Sequence, residues 1–297
     1  AAEKGGIVRA TYHPVTNGWL IRRMLDCPRV NYLAYDDSGR RGLFSQGGAE
    51  GGVGWWLDYN VEPASSGGAE CCHLVAAPDG NFVYAANYSD GSFAEFPMVK
   101  GFLGNARIIA TPPPEHPDSD RQEASHPHQC QFTPDGKFLA VVDLGGDAVL
   151  CYPYDSGRGV ADVPATVNRL HSGSGPRHLV FSPDGMRAYV ANELDSTVSV
   201  MAYRDGVLSE ERQISIRDCA SQAAATYPAA IRITRDGRWL LVSNRGDNTI
   251  AVVGLDAAGE MAEPKFFDCG GDWPRDVAFS PDELWVRDIT EHPTREG

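Results

Sequence analysis

Residues 176–203 read PRHLVFSPDGMRAYVANELDSTVSVMAY. An alternating run holding Leu179 and Phe181 meets a turn at Ser182-Pro183-Asp184-Gly185. A second run, Ala188-Tyr189-Val190, follows, then a polar corner at Asn192-Glu193 and a third run from Thr197 to Tyr203. Short apolar runs rich in Val, Tyr and Phe, punctuated by Pro, Asp, Gly and Asn, predict successive antiparallel strands. The same turn returns as Asp37-Ser38-Gly39, Pro78-Asp79-Gly80, Pro134-Asp135-Gly136, Arg235-Asp236-Gly237 and Pro281-Asp282-Glu283. Successive turns stand roughly 40 to 55 residues apart, the length of a four-stranded propeller blade. Helical periodicity is almost absent; its best trace, Ser221 to Thr226, is too short to count. The pattern predicts an all-β chain, a single β-propeller domain over residues 1–297.

Six turns are visible, and the runs Ile7–Tyr12 and Trp19–Leu25 supply strands for a seventh blade. After Asp282 the repeat dissolves into ELWVRDITEHPTREG, so the expected ring is seven-bladed with an incomplete C-terminal repeat. Closure requires both termini to share a blade, since an unpaired edge strand exposes its backbone groups. Two insertions break the period. Residues 101–124 are rich in Pro and charge, residues 218–227 in Ala, and both are expected as loops over one rim.

The composition is that of an ordinary soluble globular protein, 42% hydrophobic and 22% charged. A net charge of −14 argues against a nucleic-acid or anionic-membrane partner, because either needs a basic surface. An anionic substrate would have to be held by locally concentrated Arg. The N-terminus has no apolar targeting core, and no apolar run is long enough to span a bilayer. The absence of an initial Met reads as a fragment or a processed chain. The seven cysteines are scattered without a CxxC pair and read as free thiols in a reducing cytoplasm, adjacent Cys71-Cys72 included.

Alignment on the turn locates the candidate site. The turn joins the first two strands of each unit as a hairpin, so the start of the first lies beside the end of the second on one rim. Eight residues before the turn Gly, or its equivalent, stand Asn31, Cys72, His128, Arg177, Ala229 and Arg275. Seven after it come Gln46, Asn87, Asp143, Asn192 and Asn244, a near-uniform polar set suited to bonding backbone in a corner. Eight after it come Gly47, Tyr88, Leu144, Glu193 and Arg245. Two registers on one rim therefore hold His128, Arg177, Arg275, Glu193 and Arg245 in different blades. An acid or base (Glu193, His128) with fixed cations is what a reaction passing through an oxyanion needs. The competing reading is a set of isolated surface residues or inter-blade salt bridges; gathering on one rim of an acidic protein weighs against it.

Other features weigh less. His126-Pro127-His128 could offer a metal pair, but no carboxylate cluster at metal spacing accompanies it, so no metal or other cofactor is expected. Strand alternation sends His178 and His73 to the opposite face, as packing or hydrogen-bonding residues. Trp55-Trp56 reads as core or inter-blade packing, and no GxSxG, P-loop or dinucleotide fingerprint is present.

In these stretches the chain resembles the seven-bladed propeller lactonases, the family of propeller-type 6-phosphogluconolactonases and carboxymuconate lactonizing enzymes. The likeness is carried by GGAECCHLVAAPDGNFVYAANYSDGS, HPHQCQFTPDGKFLAVVDLGGDAV, GSGPRHLVFSPDGMRAYVANELDSTVSV, IRITRDGRWLLVSNRGDNTIAV and DWPRDVAFSPD, from Gly67 to Asp282. It implies a site at the channel mouth with His128, Arg177, Glu193 and Arg245 as the catalytic set. His126, Arg275, Asp143 and Asn192 are the expected substrate contacts. The expected activity is metal-free hydrolysis of an anionic sugar lactone, 6-phosphogluconolactone, in the cytoplasm. Two alternatives stand beside it: a cycloisomerase closing a muconate to a lactone, and a non-catalytic propeller binding a protein or ligand. An exposed apolar patch would favour the last, a narrow Arg-lined funnel the enzyme.

Overall fold

The repeat turn shows why these residues build hairpins. In the computed structural model, which describes residues 6–13, 18–35, 42–56, 63–117, 121–280, 283 and 286–292, four of the turns share one geometry. Gly80, Gly136, Gly185 and Gly237 take φ between +67° and +73°, the left-handed region open to glycine at no steric cost. Their amides donate to the carbonyls of Ala77, Thr133, Ser182 and Thr234 at 2.8–2.9 Å. The preceding Asp caps the turn: Asp184 Oδ1 accepts from Ser182 Oγ at 2.5 Å and from the Met186 amide at 3.0 Å. Asp135 and Asp236 repeat that pair of contacts. The turns expected at 37–39 and 281–282 lie outside the described residues, but the strands flanking them pair, Tyr35 with Gly42 and Phe279 with Val286.

Seven antiparallel sheets follow one another along the chain, and no α-helix occurs among the described residues. Sheet 1 is the hairpin Gly6–His13 with Gly18–Asp26, formed by the two N-terminal runs expected to add a blade. Sheets 2 to 6 have four or five strands and begin at Val30–Tyr35, Cys71–Ala76, Pro127–Phe132, Pro176–Phe181 and Tyr227–Ile233. Sheet 7 is the hairpin Asp272–Phe279 with Val286–His292. The opening strands of sheets 2 to 7 pack side by side in sequence, which is how a propeller surrounds its axis. Among the described residues no pairing joins sheet 7 to sheet 1, and these two ends of the ring are the two-stranded members.

The core lies between the sheets. Phe93 of sheet 3 meets Tyr152 of sheet 4 edge-on at 4.9 Å in a cluster drawn from both. Ala140 and Val142 of sheet 4 and Leu179 with Val190 of sheet 5 bracket the next interface, and Tyr189 with Val242 the one after. Trp55 stacks edge-on with Phe102 across sheets 2 and 3, an inter-blade contact as its sequence context suggested. Each such aromatic removes ~150–250 Å² from water, so truncating Phe93 to Ala should cost about 3–5 kcal/mol. One boundary is corrected here: residues 101–124 are not all insertion. Phe102–Leu103 and Arg107–Ala110 are outer strands of sheet 3, and the excursion proper begins at Thr111.

Candidate active site

The axial ends of the opening strands carry a repeated defect. In sheets 2 to 5 and 7 the ladder slips by one residue at the register eight before the turn: between Val30 and Tyr32, Cys71 and His73, Pro127 and Gln129, Pro176 and His178, and Pro274 and Asp276. The extra residues are Asn31, Cys72, His128, Arg177 and Arg275. A bulge turns a side chain out of the pleat, here toward the channel mouth. A cavity of about 370 Å³ opens there, lined by Asn31, Glu70, Cys72, Tyr88, Arg121, His128, Glu193, Arg245 and Arg275. The two registers read from the repeat supply seven of these nine.

Glu193 organises the charge. It is 2% exposed, with Arg245 Nη2 2.7 Å from Oε2, Arg121 Nη2 2.7 Å from Oε1 and Arg177 Nε 3.0 Å from Oε2. The Arg177 contact is an ion pair without hydrogen-bond alignment, since its N–H points elsewhere. Burial pushes the Glu193 pKa up, but Arg245, Arg177 and Arg121 outweigh it and hold the group at about 2. Arg177 and Arg245 are pinned from behind: Arg177 Nη1 donates to Ala229 O at 2.8 Å, and Arg245 Nε to Tyr227 O at 3.0 Å. The Arg245 guanidinium also lies 5.8 Å from the Trp273 ring centre. Arg177 stands behind Glu193 rather than in the cavity wall.

His128 is buried with its ring edge-on to Tyr88 at 5.5 Å and Nδ1 3.9 Å from the Cys72 sulfur. Burial, then Arg177 and Arg275, push its pKa well below 6.5, so it stands as a neutral imidazole able to accept a proton. The Cys72 thiol is pushed up to about 12 by burial and stays protonated. The residues thus present a neutral base, a fixed carboxylate and an array of cations at one mouth of the channel.

Three expected substrate contacts are placed elsewhere. Asp143 accepts from Ser125 Oγ at 2.8 Å and the His126 amide at 2.7 Å, and Asn192 donates to Thr197 Oγ1 and Ser199 Oγ, both at 2.8 Å. Both are buried corner residues, equivalent to Asn87 and Asn244, and neither reaches the cavity. His126 turns away from His128: its ring nitrogens meet Tyr88 O at 2.8 Å and Glu123 Oε1 at 3.1 Å, and it stacks on Tyr88. His178 and His73 also depart from expectation. The bulge before each resets the alternation, and their rings face the axis, where His178 meets His128 at 5.3 Å and His73 at 5.4 Å. In the sequence nothing marks Glu70 and Arg121 as site residues, and Tyr88, Cys72 and Asn31 stand out only as register members. The last three share the bulge and corner registers; Arg121 comes from the insertion and has no periodic signal.

Fold and site together define a β-propeller with a cationic, acid–base cavity at one mouth of its channel. A model of the seven-bladed β-propeller lactonases matches residues 27–290, and the chain belongs to that family. A 6-phosphogluconolactonase of Bacillus subtilis is 33% identical over 223 residues, covering 73% of this chain and 62% of the relative. A Staphylococcus saprophyticus protein is 34% identical over 210 residues, 69% of this chain and 59% of its own. The matched stretch therefore spans about six-tenths of the curated relatives' length. Among solved structures, a Lactobacillus plantarum protein superposes with a TM-score of 0.86 at 27% identity, covering 98% of this chain and 86% of that one. The periplasmic gluconolactonase of Pseudomonas aeruginosa gives 0.84 at 25%, with the same coverage.

Proposed function

We propose that the chain hydrolyses a phosphorylated sugar lactone, 6-phosphogluconolactone to 6-phosphogluconate. One observation carries this: a neutral, buried His128 faces a cavity lined by three guanidiniums (Arg121, Arg245, Arg275) and two carboxylates (Glu70, Glu193), with a fourth guanidinium, Arg177, directly behind Glu193. That local excess of two positive charges, in a protein of net charge −14, suits a phosphate dianion better than a neutral ligand. His128 takes a proton from the attacking water as its oxygen adds to the lactone carbonyl. Arg245 and Arg275 stabilise the oxyanion. The ring C–O bond then breaks, His128 returns the proton to the departing ring oxygen, and the new carboxylic acid loses its proton to solvent. Glu193, held near 2, acts by fixing the guanidiniums and is too weak a base for the water.

An Arg-lined cavity holding an acid–base pair suits an enzyme better than a binding scaffold. We place the enzyme in a reducing cytoplasm on its seven cysteines, five of them buried as thiols. No helix among the described residues is long and apolar enough to cross a membrane. The test is proton release from freshly generated 6-phosphogluconolactone, against the spontaneous rate, by the chain and by Arg177→Ala. Turnover lost in the variant supports the reading; no turnover above background, with a cooperative melt showing a folded sample, refutes it.

A further inference from the structure

The guanidiniums around Glu193 are not equivalent. Arg177 and Arg245 arise from the repeat, expose only 3% and 8% of their side chains, and donate to the backbone carbonyls of Ala229 and Tyr227. Arg121 comes from outside the repeat, between the outer strand of sheet 3 and the opening strand of sheet 4. Its side chain is 45% exposed, and its contacts are with side chains alone: Nε with Tyr88 OH at 3.1 Å and Nη2 with Glu193 Oε1 at 2.7 Å. Glu193 keeps Arg245 and Arg177 if Arg121 leaves. Arg121 is therefore the cation free to be exchanged.

Its backbone, in contrast, is anchored. Gln122 Nε2 donates to Leu144 O at 2.8 Å and Asp147 Oδ1 at 2.7 Å, and Ser125 Oγ donates to Asp143. Arg121 itself sits at φ +68°, a conformation that a non-glycine residue holds only when its surroundings impose it. Position in the cavity completes the case. Arg121 and His128 line the same cavity, and the Tyr88 ring is near both, 5.5 Å from the His128 ring and 5.9 Å from the Arg121 guanidinium. In 6-phosphogluconolactone the carbonyl carbon and the carbon bearing the phosphorylated arm flank the ring oxygen, so one cavity wall can hold the carbonyl at His128 and the phosphate at Arg121.

We propose that Arg121 is the specificity residue of this site, exchanging Glu193 and Tyr88 for the phosphate of a phosphorylated lactone whose carbonyl lies beside His128. This rests on the lactone-hydrolase reading above. Arg suits the role because its fork donates two parallel hydrogen bonds to phosphate oxygens.

The experiment compares wild type, Arg121→Gln and Arg121→Lys on 6-phosphogluconolactone and on glucono-1,5-lactone, with calorimetric binding of 6-phosphogluconate and gluconate alongside. Arg121→Gln should lower kcat/KM for the phosphorylated lactone by 10-fold or more, mainly through KM, and change the neutral lactone by less than 2-fold. Arg121→Lys should recover part of the loss. An equal fall on both lactones overturns the proposal and makes Arg121 a support for Glu193; no fall on either also overturns it. The binding arm stands apart from turnover. If wild type hydrolyses neither lactone, the hydrolase reading fails, yet a preference for 6-phosphogluconate abolished in Arg121→Gln still supports Arg121, and a preference retained in it overturns Arg121. Binding of neither acid by wild type overturns both.

Discussion

Replacing Glu193 by Gln removes one buried negative charge from the midst of three guanidiniums while keeping its shape. Held at about 2 against an ordinary 4.5, the carboxylate contributes about 3 kcal/mol to folding at neutral pH. Removing one partner of a buried ion pair costs about 3–5 kcal/mol in general; the lower end applies here because Arg121 is half-exposed. In a chain of 297 residues a loss of about 3 kcal/mol lowers Tm by about 5 °C. The pH dependence has a definite sign. A carboxylate with a depressed folded pKa stabilises above its ordinary value, and that contribution disappears as pH falls from 4.5 toward 2. Urea unfolding of wild type and Glu193→Gln at pH 7, 5 and 3 should show a gap of about 3 kcal/mol that narrows to about half by pH 3. A gap below ~1 kcal/mol at pH 7, or one as large at pH 3, refutes the assignment of Glu193 as the charge that holds the array. In activity, Glu193→Gln should lower kcat/KM yet keep the shape of the wild-type pH profile. A lost acid limb would return the base role to Glu193.

His128→Gln should reduce kcat by about 10²–10⁴ with little change in KM, and the wild-type rate should be flat through neutrality, falling only on the acid side of imidazole's ordinary 6.5. A wild-type profile that rises between pH 6.5 and 8 would count against a neutral His128. His171 is held by Asp195 and Glu210, which outweigh partial burial and raise its pKa above 6.5. Its contribution is thus full below pH 6.5 and lost as pH rises through the raised value, so the stability gap between wild type and His171→Asn should narrow from pH 6 to pH 9. Gly145→Ala would set a Cβ 1.8 Å from Ala124 O, directly behind the segment bearing Arg121. Gly136→Ala meets nothing within 4 Å and carries only the left-handed φ penalty of about 1–2 kcal/mol. Both should lower the urea midpoint, but Gly145→Ala alone should raise KM for the phosphorylated lactone.

The amino-acid sequence determined the propeller, because its information is local and repeated: Asp caps the turn, Gly supplies the left-handed residue, and apolar alternation supplies the strands. The same regularity placed His128, Glu193, Arg245 and Arg275 at one mouth, since residues at equal offsets from equal turns must lie at equal heights. Local pattern could not reveal what non-local packing decides. A bulge at each opening strand turned His73 and His178 to the axis against the expected alternation. Asp143 and Asn192, one register before Glu193 and Arg245, spend their hydrogen bonds inside the corner and leave none for the cavity. Arg121 reaches Glu193 across 72 residues of sequence from a segment with no period at all. Only the tertiary structure separates Arg177 and Arg245, held on backbone carbonyls, from Arg121, held by side chains alone, because that depends on which neighbours the fold brings within hydrogen-bond distance.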